Sequence, residues 1–338
     1  MMADELYIDK NRNMLIIGRA SSNFARKEIV YSEDYNEVLK KFGDSELTKA
    51  FKEAQDFGAP YIFLMNVQDN QDYLEIFDVI QQNDFSYIVF ASLLLSDTFQ
   101  NIKDGGQEHN FFAYILGSIG LNNDSTIIVT DKHSSLYEDV DAFLKDMRKT
   151  VTTFEECCSE RANLRNLIFV ANNLKDHLMA NIPLAAMLCA KEITEYPTSN
   201  LYGKSIFRMD RWDCDFDMAY YRSEPTRETT VENLLNCERE WAPEKVVYID
   251  RIMKYLKRGM AFEQFRGRMY TSYQKLLFNQ ALVKYLDAIK EKKIIKQYII
   301  DSIETYKDVP GTVIMLARLK VQPANCLDLC SLSVEAKV

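Results

Sequence analysis

The sequence predicts an α/β domain followed by an α+β domain, and three observations carry that prediction. Short apolar runs alternate with longer amphipathic ones through the first half, the order of a mainly parallel sheet covered on both faces. After Pro243 the pattern changes to helices and ends in two strand-like segments joined by a turn. The charge changes with it: residues 242–338 hold 17 Lys and Arg against 10 Asp and Glu, whereas residues 1–241 hold 24 against 40. The expected division is an N-terminal arm (1–13), an α/β body (14–195), a helix-and-small-sheet domain (196–325) and a C-terminal arm (326–338).

Met14 to Ile17 is the first strand, followed by a helical pattern over 34–57 that Ser32 is expected to cap and Gly58 to stop. Tyr61 to Val67, Tyr87 to Ala91, Thr126 to Thr130 and Leu167 to Ala171 are the next strands, with helical patterns near 72–82, 108–119 and 136–160 between them. Asn181-Ile182-Pro183 opens a helix through Ala190, with Asn as its cap and Pro where a missing N–H costs nothing. Thr194 to Pro243 has poor periodicity and is expected to be irregular. Val246 to Arg258 and Met269 to Lys290 are helical; in the second, Tyr270, Tyr273, Leu277, Ala281, Tyr285 and Ala288 mark the expected buried face. Tyr298 to Ile303 and Val313 to Val321 pair as a hairpin across the turn at Lys307 to Gly311. Leu332 to Val338 alternates Leu332, Val334 and Ala336 with Ser333, Glu335 and Lys337, the pattern of one more strand. Such a strand either closes its own sheet or lends its edge to something outside it.

Composition excludes several classes. Hydrophobic residues are 47% and charged residues 27% of 338, with 11 Gly and 7 Pro, so the chain is neither disordered nor fibrous. The longest apolar runs, Ile88 to Leu95 and Ile182 to Ala190, fall well short of the ~20 residues that span a bilayer. Asp4, Glu5 and Asp9 stand where a signal peptide needs a basic start, so a cytosolic chain is expected. Seven cysteines, with no CxxC pair, suggest thiols rather than a disulfide framework. A net charge of −9 disfavours general nucleic-acid binding, which depends on neutralising phosphates.

Motifs of chemistry are few. Gly43-Asp44-Ser45 matches the nucleophile block of one esterase class, but of His109, His133 and His177 none lies in a DxxH near the C-terminus to serve as base. Ser45 is better read as the cap of a helix. Gly18-Arg19-Ala20 follows the first strand without the other glycines of a dinucleotide fingerprint, and no GxxxxGK[ST] occurs. Cys326 and Cys330 lack the second pair that a closed zinc site needs, and the acidic alternation Asp213, Asp215, Asp217 lacks the Gly and closing Glu of a calcium loop. No cofactor and no metal is implied. Lys254, Lys257, Arg258 and the lysines at 290, 292, 293 and 296 are by default solvated helix ends, or else a docking face for an acidic partner.

Several stretches together resemble the tail sheath proteins of contractile phage tails and related injection machines. MLIIGRASSNF and KEIVYSEDYNEVLKKFGDSELTKAFKEAQDFGAPYIFLMNV resemble that family's opening strand, Phe42-Gly43 pair, helix, small-residue turn and second strand. VVYIDRIMKYLKRGMAFEQF, the long helix after it and VIMLARLKVQPANCLDLCSLSV, with Gln322-Pro323, resemble its closing helix, strand and final strand. Only residues 1–13 precede the first strand, where many sheath proteins open with a long arm.

The resemblance implies a structural, non-enzymatic subunit forming stacked hexameric rings around a tail tube, with baseplate and terminator proteins as further partners. It implies a virion tail or tail-like particle assembled in a bacterial cytoplasm, without direct nucleic-acid contact or membrane insertion. Terminal strands would be exchanged between neighbours: Leu332, Ser333, Val334, Glu335, Ala336, Lys337 and Val338, with Leu6, Tyr7 and Ile8 as a second donated segment. Tyr298, Ile299, Ile300, Val313, Ile314, Leu316, Leu319 and Val321 would form the accepting hairpin, and Lys254, Lys257 and Arg258 would face the tube. The alternatives are an α/β enzyme with its site at the carboxyl ends of the strands, or another tail component such as a terminator or baseplate protein.

Overall fold

A computed structural model describes residues 11–76, 79–80, 82–91, 101–104, 107–110, 125–130, 167–171, 181–193, 207–213, 218–223, 251–256, 259, 265, 270–307 and 313–324. The chain divides into two compact units, Met1–Glu192 with Pro197–Glu244, and Ile193–Tyr196 with Lys245–Val338.

The first unit is built on one sheet. Its strands are β1 (Asn13–Gly18), β2 (Ile29–Tyr31), β3 (Tyr61–Asn66), β4 (Tyr87–Phe90), β7 (Thr126–Thr130), β8 (Leu167–Ala171), β9 (Phe207–Asp213) and β10 (Met218–Ser223); β5 (Asn101–Asp104) and β6 (Gln107–Asn110) form a separate hairpin. The order is β2-β3-β1-β4-β7-β8-β10-β9. The six central strands run parallel, and β2 and β9 lie antiparallel at the two edges. Met14, Leu15, Ile16 and Ile17 are all fully buried, which requires cover on both faces of β1 and explains why that strand is a continuous apolar run.

The helical pattern over 34–57 becomes two helices, α1 (Tyr35–Phe42) and α2 (Glu46–Asp56). Gly43 separates them at φ +73°, a conformation that side chains resist, and an added Cβ would lie 3.0 Å from that of Ser21. Asp34, not Ser32, caps α1 by accepting from the Asn36 N–H, while the Ser32 hydroxyl lies within bonding distance of the Asp34 N–H and the Glu37 carboxylate. Ser45 caps α2 as expected, accepting from the Thr48 N–H.

A short helix α3 (Asn70–Glu75) follows β3, and α4 (Asn181–Ala190) packs on β1, β4 and β7 beside α2, so α2 and α4 share one face of the sheet. Buried residues occur all round α4, which suits a central helix. Its Asn181 does not act as the expected cap: the amide donates to the carbonyls of Phe90 and Ile128 and ties the helix to β4 and β7. At the other end of α4 the Arg12 guanidinium donates to the carbonyls of Cys189 and Ala190, a cation at the negative end of the helix.

Two further sequence expectations fail in this unit. Residues 108–110 are strand, not the start of a helix, and the rest of that stretch, like 136–160, lies outside the described residues. The supposedly irregular segment from Thr194 contributes β9 and β10 to the sheet, because pairing along β8 overrides a charge-rich, weakly periodic pattern.

The second unit has helical residues 251–256, the helix α5 (Ser272–Glu291), and the antiparallel pair β11 (Ile295–Lys307) and β12 (Val313–Pro323). Its core is Ile252, Leu256, Phe278, Leu282, Leu286 and Ile289, closed by Ile294 and Ile295. The buried face of α5 is therefore rotated from the expected one: Tyr270 and Tyr273 are exposed, Tyr273 at 64%. Tyrosines tolerate solvent, so the fully apolar Phe278, Leu282 and Leu286 take the core. Tyr285 is the exception among these tyrosines. Its hydroxyl donates to the Leu256 carbonyl at 3.2 Å, and burial pushes the phenol pKa up.

Candidate assembly surface

β11 and β12 form a two-stranded sheet, paired from Ile295 with Pro323 to Lys307 with Val313. Side chains alternate across its two faces, as the strand period requires. Tyr298, Ile300, Ile303, Met315, Ala317, Leu319 and Val321 pack on the core that α5 supplies. On the opposite face Ile299, Tyr306, Ile314 and Leu316 are exposed. Two ion pairs lie across the strands there, Lys320 with Asp301 at 3.0 Å and Arg318 with Glu304 at 3.4 Å. Glu304 also accepts from the Ser302 and Tyr306 hydroxyls, and these bonds lead the causes that hold its carboxyl below the usual range.

Among the described residues, neither outer edge of this pair has a partner strand. A two-stranded sheet of this length is marginal alone and draws its stability from α5. Among the described residues no strand covers either edge, and an uncovered edge is the feature that recruits further strands. The two edges differ. β11 carries two bulges, at Lys296 and Asp301, whereas β12 runs without an extra residue.

The predicted acceptor residues all lie on this hairpin: Tyr298, Ile300, Leu319 and Val321 on the α5 side, and Ile299, Val313, Ile314 and Leu316 exposed. Leu6, Tyr7, Ile8 and the segment Leu332 to Val338 lie outside the described residues, as do Lys257 and Arg258. Lys254 differs from the solvated charge expected of it. It is 7% exposed and has interactions of its own.

The alternative site, at the carboxyl ends of the strands, is occupied by the chain itself near β1 and β3. Residues 19–28 fold over these ends, held by Asn66, which is fully buried. Its amide donates to the carbonyls of Ser22 and Phe24 and its oxygen accepts from the Ala20 N–H. Arg26 donates to both oxygens of buried Asp72 and to Asp69. Burial alone would raise the Asp72 pKa, but the Arg26 and Gln68 hydrogen bonds outweigh it and hold the carboxyl below the usual range. Ser45, the esterase-like serine, is spent on capping α2 and on the Thr48 hydroxyl. Among the described residues no group of three His, Cys, Asp or Glu is placed to hold a metal, and no helix is long and apolar enough to cross a membrane.

A solved structure shares this architecture along nearly the whole chain. A chain of the anti-feeding prophage baseplate in its contracted state superposes with a TM-score of 0.51 at 8% identity, over 99% of this chain and 96% of that one. This chain has that fold. Also similar are sheath tail proteins from Listeria innocua and Desulfitobacterium hafniense, each with a TM-score of 0.49, 10% identity and 92% of this chain covered, and with 95% and 96% of their own chains covered. No family model matches the sequence, and no curated protein matches it.

Proposed function

We propose that this protein is a structural subunit of a contractile tail sheath, polymerising as stacked hexameric rings around a tail tube and shortening to drive the tube through a target envelope. The observation that carries this reading is the β11–β12 pair: an α5-backed sheet whose long edges have no partner strand among the described residues. A sheet built this way is completed by β-augmentation, in which backbone hydrogen bonds fix register and keep two bodies linked while they move. The donated strand is Leu332 to Val338 of a neighbouring copy, with Leu6, Tyr7 and Ile8 as a second donor. The fold shared with a baseplate chain supports the same class of machine. Tail tube, baseplate and terminator proteins are the further partners, and the protein works in a virion tail or tail-like particle.

Electron microscopy of the purified full-length chain tests this. Rings stacked into tubes, or helical polymers, are expected; a discrete small oligomer binding a small molecule in the first unit would overturn it. Contact with the tube is assigned to Lys257 and Arg258. Reversing both to Glu should reduce co-assembly with the tube at low salt, and a wild-type yield would remove that assignment.

A further inference from the structure

The corner where α5 turns into β11 carries Lys290, Lys292, Lys293 and Lys296, with Glu291 the one acid among them. All four lysines are exposed, and none forms an ion pair among the described residues. Other cations of this unit are placed differently: Arg318 and Lys320 pair with Glu304 and Asp301, and Lys254 is buried.

The helix dipole accounts for part of this corner. A cation is favoured at a helix C-terminus, which suits Lys290 in the last turn and Lys292 at the cap. Lys293 is different. Its N–H donates to the Lys290 carbonyl at 2.9 Å, and the Ile294 N–H donates to the Ile289 carbonyl at 3.3 Å, the two bonds of a Schellman ending. That ending holds Lys293 at φ +59°, where Gly fits without strain and a side chain is resisted. Folding alone would favour Gly here. Lys296 lies beyond the helix, as the residue left out of the β11 ladder. A local rule broken without a gain in folding marks a functional position.

The partner that fits four unpaired lysines is acidic, and the charge of the whole chain says which acidic partner. The second unit, Ile193–Tyr196 with Lys245–Val338, holds 17 Lys and Arg against 10 Asp and Glu; the first unit holds 24 against 40. A nucleic acid or an anionic lipid surface would attract the lysines but would be repelled by the larger charge of the first unit. Two copies of the chain repel when like units meet and attract when the second unit of one faces the first unit of the other. Such a contact uses different surfaces on the two copies, so it is heterologous and leaves each copy able to receive another.

We infer that the lysine corner at the α5–β11 turn is a docking point for the acidic first unit of a second copy of this chain. The inference rests on the proposed reading that copies polymerise, and adds to it the direction in which one copy meets the next. Exposed charge pairs are individually weak and screened by salt, so this contact orients incoming copies and speeds their addition while other contacts hold the polymer.

Carbodiimide, which joins lysine directly to carboxylates, tests the contact. Full-length chains labelled with ¹⁵N are mixed with unlabelled chains, treated during assembly, and the crosslinked peptides are mapped by mass spectrometry. Heavy-to-light crosslinks from the four lysines to residues 1–192 or 197–244 are expected. Polymers whose corner crosslinks fall only within single chains, or only in the neighbour's second unit, would overturn the inference and leave polymerisation intact. No association between copies at high concentration would overturn both. The variant with Lys290, Lys292, Lys293 and Lys296 all changed to Gln should grow about tenfold more slowly in low salt, and at the parental rate in high salt, by light scattering. Parental growth in low salt would remove the docking role. Lys293→Gly separates docking from folding: its unfolding midpoint should rise while its growth slows, and a raised midpoint with unchanged growth would take Lys293 out of the contact.

Discussion

Asp72 shows how much a single buried carboxylate organises. It accepts from Arg26 and from the Gln68 N–H, and so pins the loop after β1 to the start of α3. Replacing it with Asn should cost about 2 kcal/mol at neutral pH, the worth of hydrogen bonds to a charged group. Because its folded pKa is depressed, its contribution is present above the unfolded value of about 3.9 and is lost as pH falls through the folded value. Urea titrations of parent and Asp72→Asn should therefore diverge at pH 7 and converge toward pH 2. A gap that persists in acid would mean the carboxylate charge is not the cause. A second residue-scale test concerns Gly259, where an added Cβ would fall 2.2 Å from the Tyr285 hydroxyl. Gly259→Ala should displace that hydroxyl from the Leu256 carbonyl and destabilise the second unit by about 1–3 kcal/mol, read as a lower unfolding midpoint. Neither contact is legible in the sequence, since Arg26 and Asp72, like Gly259 and Tyr285, are joined only by the folded chain.

At the scale of elements, α5 holds the hairpin and its two faces should respond differently to truncation. Leu286→Ala removes a fully buried side chain and is expected to cost about 3 kcal/mol; Leu276→Ala, at a site 51% exposed, should change stability by less than about 0.5 kcal/mol. Equal losses at the two sites would mean that α5 buries a different face. The sequence marks this helix well but points to the wrong stripe, because Tyr270, Tyr273 and Leu277 fit the three-to-four spacing as well as Phe278, Leu282 and Leu286 do, and packing within the folded unit chooses between them. Strands show the reverse. Tyr61 to Asn66, Thr126 to Thr130 and Leu167 to Ala171 are readable because strands inside a parallel sheet are apolar throughout. β9 and β10 are not, since their Asp, Arg and Tyr residues carry no such signature and pairing alone makes them strands.

At the scale of the whole molecule, assembly should reside in the terminal strand and not in the first unit. Deleting residues 332–338 is expected to leave far-ultraviolet circular dichroism close to that of the parent while abolishing growth beyond small species in sedimentation and electron microscopy. Polymers formed by the shortened chain would place the linkage elsewhere. Sequence alone determined the alternating α/β character of the first half, the helix and hairpin of the second, and the absence of a nucleotide fingerprint, because periodicity and composition are local properties. Tertiary structure alone decided three things: the strand order with its antiparallel margins, the filling of the β1 and β3 ends by residues 19–28, and the placing of both bulges on β11. The first two are choices of partner between separate segments and the third a slip of register within a hairpin, and all three are made by what packs and pairs in space, which no local pattern records.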